Sequence, residues 1–207
     1  MSIDTLTKST FSSALSYLST MDKDLKFVID KYGPPPMWSR KPGFQTLVNI
    51  ILEQQVSLAS AKVAFENLNN YTSPLTPKNF LKIDDSELKK IGFSRQKIRY
   101  CRNIATAIMK GELKINDFLH MPDSAVRLEL LKITGIGPWT ADIYLLMALN
   151  RQDIWPVGDL ALISAIQKLK DLPERPDNVK FESLGKLWKP WRAVAARILW
   201  HFYLSSQ

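Results

Sequence analysis

The stretch LKITGIGPWTADIYLLMALN, residues 131–150, carries the strongest local signal in the chain. Its apolar run is broken by Gly135-Ile136-Gly137-Pro138-Trp139. Upstream, from Pro122 to about Lys132, and downstream, from about Pro138 to Leu149, apolar residues recur at helical spacing. Gly-x-Gly between two helices reads as a tight hairpin, because glycine lacks a Cβ and accepts positive φ. Pro138 suits the first position of the second helix, where a missing N–H costs nothing. Such a turn presents backbone N–H groups at a helix start, where the partial positive charge suits a phosphate. Gly135, Ile136, Gly137 and Thr140 are therefore candidate phosphate-binding residues. A plain corner that needs glycine only for its geometry accounts for the same pattern.

Outward from this hairpin, helices fill the chain. Phe11, Leu15 and Leu18 share a helical face, and Leu25, Val28 and Ile29 share another, stopped by Gly33-Pro34-Pro35-Pro36. Phe44, Leu47, Val48, Ile51 and Leu52 repeat at the same spacing, and so do Ala59, Val63, Ala64 and Leu68. Thr76-Pro77 and Asp84 read as starts of short helices. Ile98, Cys101, Ile104, Ala105 and Ile108 mark a longer helix ended by Gly111. Asp159 caps a helix running to about Leu169, and the last spans roughly Trp191 to Leu204. No segment alternates as a strand would, so the expected fold class is all-α with short loops.

The composition narrows the partners. The 207 residues are 45% hydrophobic, enough for a globular chain of one domain or two lobes. Lys plus Arg number 28 against 20 Asp plus Glu, a net +8 that favours a polyanion, nucleic acid first. Solubility alone accounts for the same charge. Arg95, Lys97, Arg99 and Arg102 form a basic run that reads equally as a phosphate contact or a solvated face. A single cysteine, Cys101, excludes an internal disulfide and any all-cysteine zinc or iron–sulfur site, and it fits a reducing compartment. MSIDTLTKST at the start lacks an apolar core, so no signal peptide is expected, and no stretch reaches transmembrane length. His120 and His201 show no metal-ligand spacing.

Asp159 stands out in Trp155-Pro156-Val157-Gly158-Asp159-Leu160. It reads as an ordinary helix N-cap. It reads equally as a carboxylate held at a helix start, where the dipole favours its charged form.

Taken in order, helix, LKITGIGPWTA, helix and PVGD, the chain resembles the helix–hairpin–helix–GPD superfamily of DNA glycosylases. IILEQQVSLASA (50–61), LKKIGFSRQKIRYCRNIA (88–105) and WKPWRAVAARILW (188–200) are similar to the 3-methyladenine DNA glycosylase II branch. The resemblance runs from about Leu25 to Tyr203. Some members carry an additional N-terminal α/β domain, for which this chain has no room.

The resemblance implies two helical lobes with the active site in the cleft between them. One lobe is 43–151, with the helix–hairpin–helix motif at 124–149; the other is 1–42 joined to 152–207. It implies a monofunctional N-glycosyl hydrolase that flips alkylated purines, of the 3-methyladenine and 7-methylguanine type, out of duplex DNA and excises them. That reaction opens base excision repair. The expected partner is double-stranded DNA, bound by a monomer, with no membrane and no required cofactor. The expected location is the cytoplasm, at the nucleoid, for a prokaryotic source and the nucleus for a eukaryotic one.

The resemblance also assigns roles. Asp159 matches the catalytic aspartate, which stabilises an oxocarbenium-like sugar or activates the attacking water. Trp139 stands where relatives that also cut the strand hold a Schiff-base lysine. Its indole offers a π face to a flipped, cationic base. Trp200 matches a second pocket aromatic, and Ile143 stands where the family can hold a pocket tyrosine. Gln55 matches the side chain that wedges into the gap left by the base. The carbonyls of Leu131, Ile133 and Ile136 match positions that hold a monovalent or similar cation bridging to phosphate.

Two alternatives stay open at this point. One is another lesion, such as hypoxanthine, ethenoadenine, 8-oxoguanine or mismatched adenine; the missing hairpin lysine and cysteine cluster argue against the common versions of the last two. The other is a non-catalytic protein that binds damaged DNA, which has no need of Asp159.

Overall fold

The computed structural model describes residues 4–206. In chain order the helices are α1 (Lys8–Met21), α2 (Lys23–Tyr32), α3 (Phe44–Glu53), α4 (Leu58–Tyr71), α5 (Pro77–Leu81) and α6 (Asp85–Ile91). Then come α7 (Arg95–Met109), α8 (Asp123–Leu131), α9 (Pro138–Ile143), α10 (Leu160–Leu169), α11 (Asn178–Lys186) and α12 (Arg192–Ser205). A short 3₁₀ turn covers Ile115–His120. The extended pairing among the described residues is an isolated antiparallel bridge between Thr5 and Arg151, so the fold is all-α.

The chain divides into two compact units. One is Arg40–Leu149; the other joins the residues up to Ser39 to those from Asn150 onward. The expected borders at 43 and 151 thus fall at Arg40 and Leu149. Hydrogen bonds explain the shift. The Arg40 N–H donates to Met147 O at 2.8 Å, and the Arg40 guanidinium pairs with Glu53 at 2.7 Å. Arg151 bridges to Thr5, and the Leu6 N–H donates to Asn150 O at 2.7 Å.

In the first unit α3 is the central helix. Phe44, Leu47, Val48, Ile50, Ile51 and Leu52 are all buried, and α4, α7 and α9 pack around it. Gln45 is exposed and Asn49 half-buried, so the apolar residues of the helix face the core. The buried side of α7 is Ile98, Cys101, Ile104 and Ala105, as its spacing predicts; burial pushes the Cys101 thiol up and leaves it inert. In α4 the inward face differs from the expected one. Ala61, Ala64 and Leu68 are buried, whereas Val63 is exposed. Ser57 caps the first turn, accepting the Ser60 N–H at 3.1 Å, and small alanines rather than the larger valine meet the packed neighbours.

The helix expected from Pro138 to Leu149 is α9 followed by a π-helical turn, Tyr144–Ala148. The wider turn buries Tyr144, Leu145 and Leu146 together. The Tyr144 hydroxyl accepts the Gly43 N–H at 3.0 Å, and burial pushes its pKa up to about 12.

In the second unit α12 is buried from Ala193 to Trp200 and packs on α1, α2 and α10. Arg197 lies inside that core. It donates to Met37 O at 2.6 Å and Ala193 O at 2.9 Å, and burial pushes its pKa down to about 9, so it stays charged at neutral pH. Asp22 caps α2 and also takes the Trp188 indole N–H at 2.9 Å and the Lys170 ammonium. Burial alone would raise its carboxyl; these bonds hold it below the usual carboxylate range. Helix α11 has no counterpart in the sequence reading, because NVKFESLGK buries only Phe181 and Gly185.

Candidate active site

The hairpin belongs to the first unit. Gly135 has φ +108°, and a Cβ placed there would lie 2.3 Å from Tyr100 Cγ. Both its conformation and its close approach to the ring therefore require glycine. Gly137 differs. It caps α9 with extended backbone, φ −95° and ψ 179°, and a Cβ there would meet nothing within 4 Å. A side chain would fit there on ordinary backbone, so neither conformation nor packing requires glycine at this N-cap. Arg127 and Asp142 join the two hairpin helices through an ion pair of 2.6 Å, with Asp142 buried.

Side chains from two elements hold the hairpin. The Gln54 amide donates to Gly135 O at 3.2 Å and to Thr140 Oγ1 at 2.9 Å. The Asn103 amide on α7 donates to Thr134 O at 3.2 Å. Thr140, counted with the phosphate-binding residues, therefore directs its hydroxyl inward: it is 1% exposed and accepts from Gln54, leaving only its backbone N–H for a phosphate. Ile136 is buried and also offers backbone alone. Trp139 lies half-buried in the first turn of α9. Ile143 is buried at the other end of that helix, 2% exposed. Gln55 is exposed in the loop between α3 and α4, with φ +56°, an uncommon conformation for a residue with a side chain.

The Ile133 carbonyl accepts the Ile136 N–H at 3.0 Å, which leaves it a second lone pair. With Leu131 and Ile136 it would form a neutral, all-carbonyl donor set, which suits a monovalent cation. Among the described residues no group of three His, Cys, Asp or Glu is placed to hold a metal.

The basic run on α7 is largely engaged. Lys97 Nζ donates to Leu52 O at 2.7 Å, and Arg102 binds Asp85 at 2.6 Å and the carbonyls of Leu81 and Ile83. Arg95 and Arg99 are exposed.

Asp159 belongs to the second unit. The segment leading to it is anchored residue by residue. Arg192 clamps Asp153, Nε to Oδ1 at 2.6 Å and Nη2 to Oδ2 at 2.9 Å. Trp155 stacks on Phe181, ring centres 4.6 Å apart, and its indole N–H donates to Phe181 O at 3.2 Å. Gly185 admits that indole: a Cβ there would lie 2.6 Å from Trp155 Nε1. The chain then turns at Pro156–Gly158, Gly158 at φ +86°, and Asp159 caps α10. Asp159 Oδ1 accepts the Leu162 N–H at 2.9 Å and the Trp200 indole N–H at 3.2 Å. The carboxylate is 6% exposed and Trp200 8%. Asp159 is thus an N-cap whose side chain is fixed in place by these bonds. Trp200 stands as a positioning contact to Asp159.

Sequence reasoning gave no role to Gln54, Tyr100, Asn103 or Arg192, and did not foresee the bond that Lys97 makes. Each acts through a partner far along the chain, such as Gly135 for Gln54, and one sequence carries no signal of such pairing.

With this geometry in place, residues 48–191 match the HhH-GPD superfamily of base excision DNA repair proteins, and the chain belongs to that family. DNA-3-methyladenine glycosylase 1 of Schizosaccharomyces pombe is 28% identical over 192 residues, covering 89% of this chain and 84% of that protein. The Bacillus subtilis protein YfjP is 25% identical over 184 residues, 85% of this chain; the chain spans 64% of that protein's length. Among solved structures, a 3-methyladenine DNA glycosylase of S. pombe in complex with abasic DNA superposes with a TM-score of 0.84 at 26% identity, covering 91% of this chain and 95% of that one.

Proposed function

We propose that this protein is a monofunctional DNA glycosylase that excises alkylated purines from duplex DNA. Asp159 carries the proposal: a carboxylate fixed by two hydrogen bonds at a helix start, at the position of the family's catalytic aspartate. In the reaction the bond between the base and C1′ breaks, the base leaves with the bonding electrons, and positive charge develops on the sugar. Asp159 stabilises that charge and orients the water that adds to C1′. Its geometry is set before substrate arrives, so no reorganisation is needed at the reacting centre.

The hairpin grips the strand. Its backbone N–H groups at Gly137 and Thr140 take a phosphate, Gly137 leaves room for one, and Ile136, whose N–H is held by Ile133 O, shapes the turn before them. A monovalent cation on the carbonyls of Leu131, Ile133 and Ile136 would add positive charge beside that phosphate. No organic cofactor is needed. Gln55 fills the duplex gap, offsetting part of the cost of extruding a base. Trp139 and Ile143, both on α9, serve the base pocket, with the half-buried Trp139 offering its π face, and Trp200 steadies Asp159. The partner is duplex DNA bound by a monomer, at the nucleoid in a prokaryote or in the nucleus in a eukaryote.

The products follow from Trp139, which cannot form a Schiff base. Borohydride added during turnover is expected to trap no covalent protein–DNA adduct. A strong adduct mapped to a residue of this site would contradict the monofunctional assignment.

Base selectivity is tested at the same residue. N3- or N7-alkylation makes a purine cationic, and a cationic ring gains more from an indole face than a neutral ring does. Trp139→Ala is therefore expected to slow excision of 7-methylguanine about fivefold more than excision of hypoxanthine, for a stacking difference of ~1 kcal/mol. Single-turnover rates of both proteins on both lesions give this ratio. Equal slowing would make Trp139 a shaping residue only, and no slowing would remove it from the pocket.

A further inference from the structure

One side chain joins the loop after α3 to the hairpin. Gln54 leaves α3 and donates from its amide nitrogen to both Gly135 O (3.2 Å) and Thr140 Oγ1 (2.9 Å). An amide has two N–H groups, so both are used, one on the turn and one in the first turn of α9. The next residue, Gln55, is exposed at φ +56°, a conformation that persists only where its surroundings fix it. Lys97 holds the last turn of α3, just before that loop, through Leu52 O at 2.7 Å. Lys97 sits on α7, which also sends Tyr100 against Gly135 and Asn103 to Thr134 O.

We propose that Gln54 is a positioning residue that makes the Gln55 loop and the 134–140 hairpin one body, so that plug and phosphate grip act in a fixed register. The inference rests on the glycosylase function above, in which Gln55 fills the duplex gap while the hairpin holds the strand. Phosphate and base step are spaced rigidly along DNA. A plug that swings relative to the grip misses the gap, and misplacements of an ångström are costly to catalysis.

A double-mutant cycle tests the coupling, with single-turnover excision of 7-methylguanine by wild type, Gln54→Ala, Gln55→Ala and the double variant. Gln54→Ala is expected to slow excision about tenfold or more, with the half-saturating DNA concentration little changed. Gln55→Ala should then cost far less in the Gln54→Ala background than in wild type, because an untied plug contributes little. Thr140→Val, which removes the acceptor, should weaken the dependence on Gln55 in the same way; Thr140→Ser, which keeps it, should preserve that dependence. Additive effects of Gln54→Ala and Gln55→Ala overturn the proposal, as does a Gln54→Ala rate equal to wild type. Hydrogen exchange gives a second readout without DNA. The backbone amides of residues 134–137, Trp139 and Thr140 should exchange faster in Gln54→Ala at an unchanged thermal midpoint, and unchanged exchange overturns the tie. A wild-type protein that releases no alkylated base contradicts the glycosylase function alone, and the exchange experiment still decides the tie.

Discussion

Asp159→Asn is expected to lower single-turnover base release at least about a hundredfold, while DNA affinity and thermal midpoint stay near wild type. Asparagine has the same shape and is as good an N-cap as aspartate. Its carbonyl oxygen can keep the bonds from the Leu162 N–H and the Trp200 indole, so α10 and its entry loop hold. The full negative charge is lost, and that charge is what a developing sugar cation needs. Capping and catalysis are thereby separated at one residue. Activity within a fewfold of wild type on a cationic lesion would sink the catalytic role. A large fall in thermal midpoint would show that the charge serves the fold.

The second large effect is expected at Gly135, and Gly137 is its control. Gly135→Ala forces a Cβ to within 2.3 Å of Tyr100 Cγ at φ +108°. Overpacking and a disfavoured backbone together should cost about 2–4 kcal/mol, a fall of roughly 5–15 °C in thermal midpoint for a chain of this size. DNA binding should fall with it as the hairpin shifts. Gly137→Ala adds a Cβ that meets nothing within 4 Å on ordinary backbone, so its midpoint should stay near wild type. Its DNA affinity should nevertheless fall, because the methyl group occupies the space a phosphate needs. Thermal melts and binding to a duplex with an abasic-site analogue separate the two. A stable Gly135→Ala protein would contradict the packing account, and undiminished binding by Gly137→Ala would contradict phosphate contact at the hairpin.

These two residues also show how far the sequence could be read. Gly-x-Gly-Pro marked the hairpin, yet the two glycines do different work, and only the ring of Tyr100 against Gly135 tells them apart. Asp159 and the start of α10 were legible because capping is local: the residue and the N–H it binds are neighbours in sequence. The same locality made Thr76, Asp84 and Pro138 readable as helix starts. Contacts across long chain separations were not legible. The bond from Gln54 to the Thr140 hydroxyl and the bond from the Trp200 indole to Asp159 left no trace in the sequence. The basic run on α7 stayed open between two readings for the same reason, and neither foresaw that Lys97 and Arg102 serve carbonyls and a carboxylate of the protein itself. In α4, helical spacing put Ala59 and Val63 on the apolar face with Ala64 and Leu68, and packing selected Ala61 in their place.

The most direct measurement is chromatographic detection of free base released by excess protein from a duplex with a single 7-methylguanine, with Asp159→Asn as the blank. The wild-type protein should release stoichiometric 7-methylguanine and leave a strand that stays intact until alkali is added; the variant should release almost none. No free base from the wild type on either 7-methylguanine or 3-methyladenine duplexes, or equal release by the two proteins, would contradict the account.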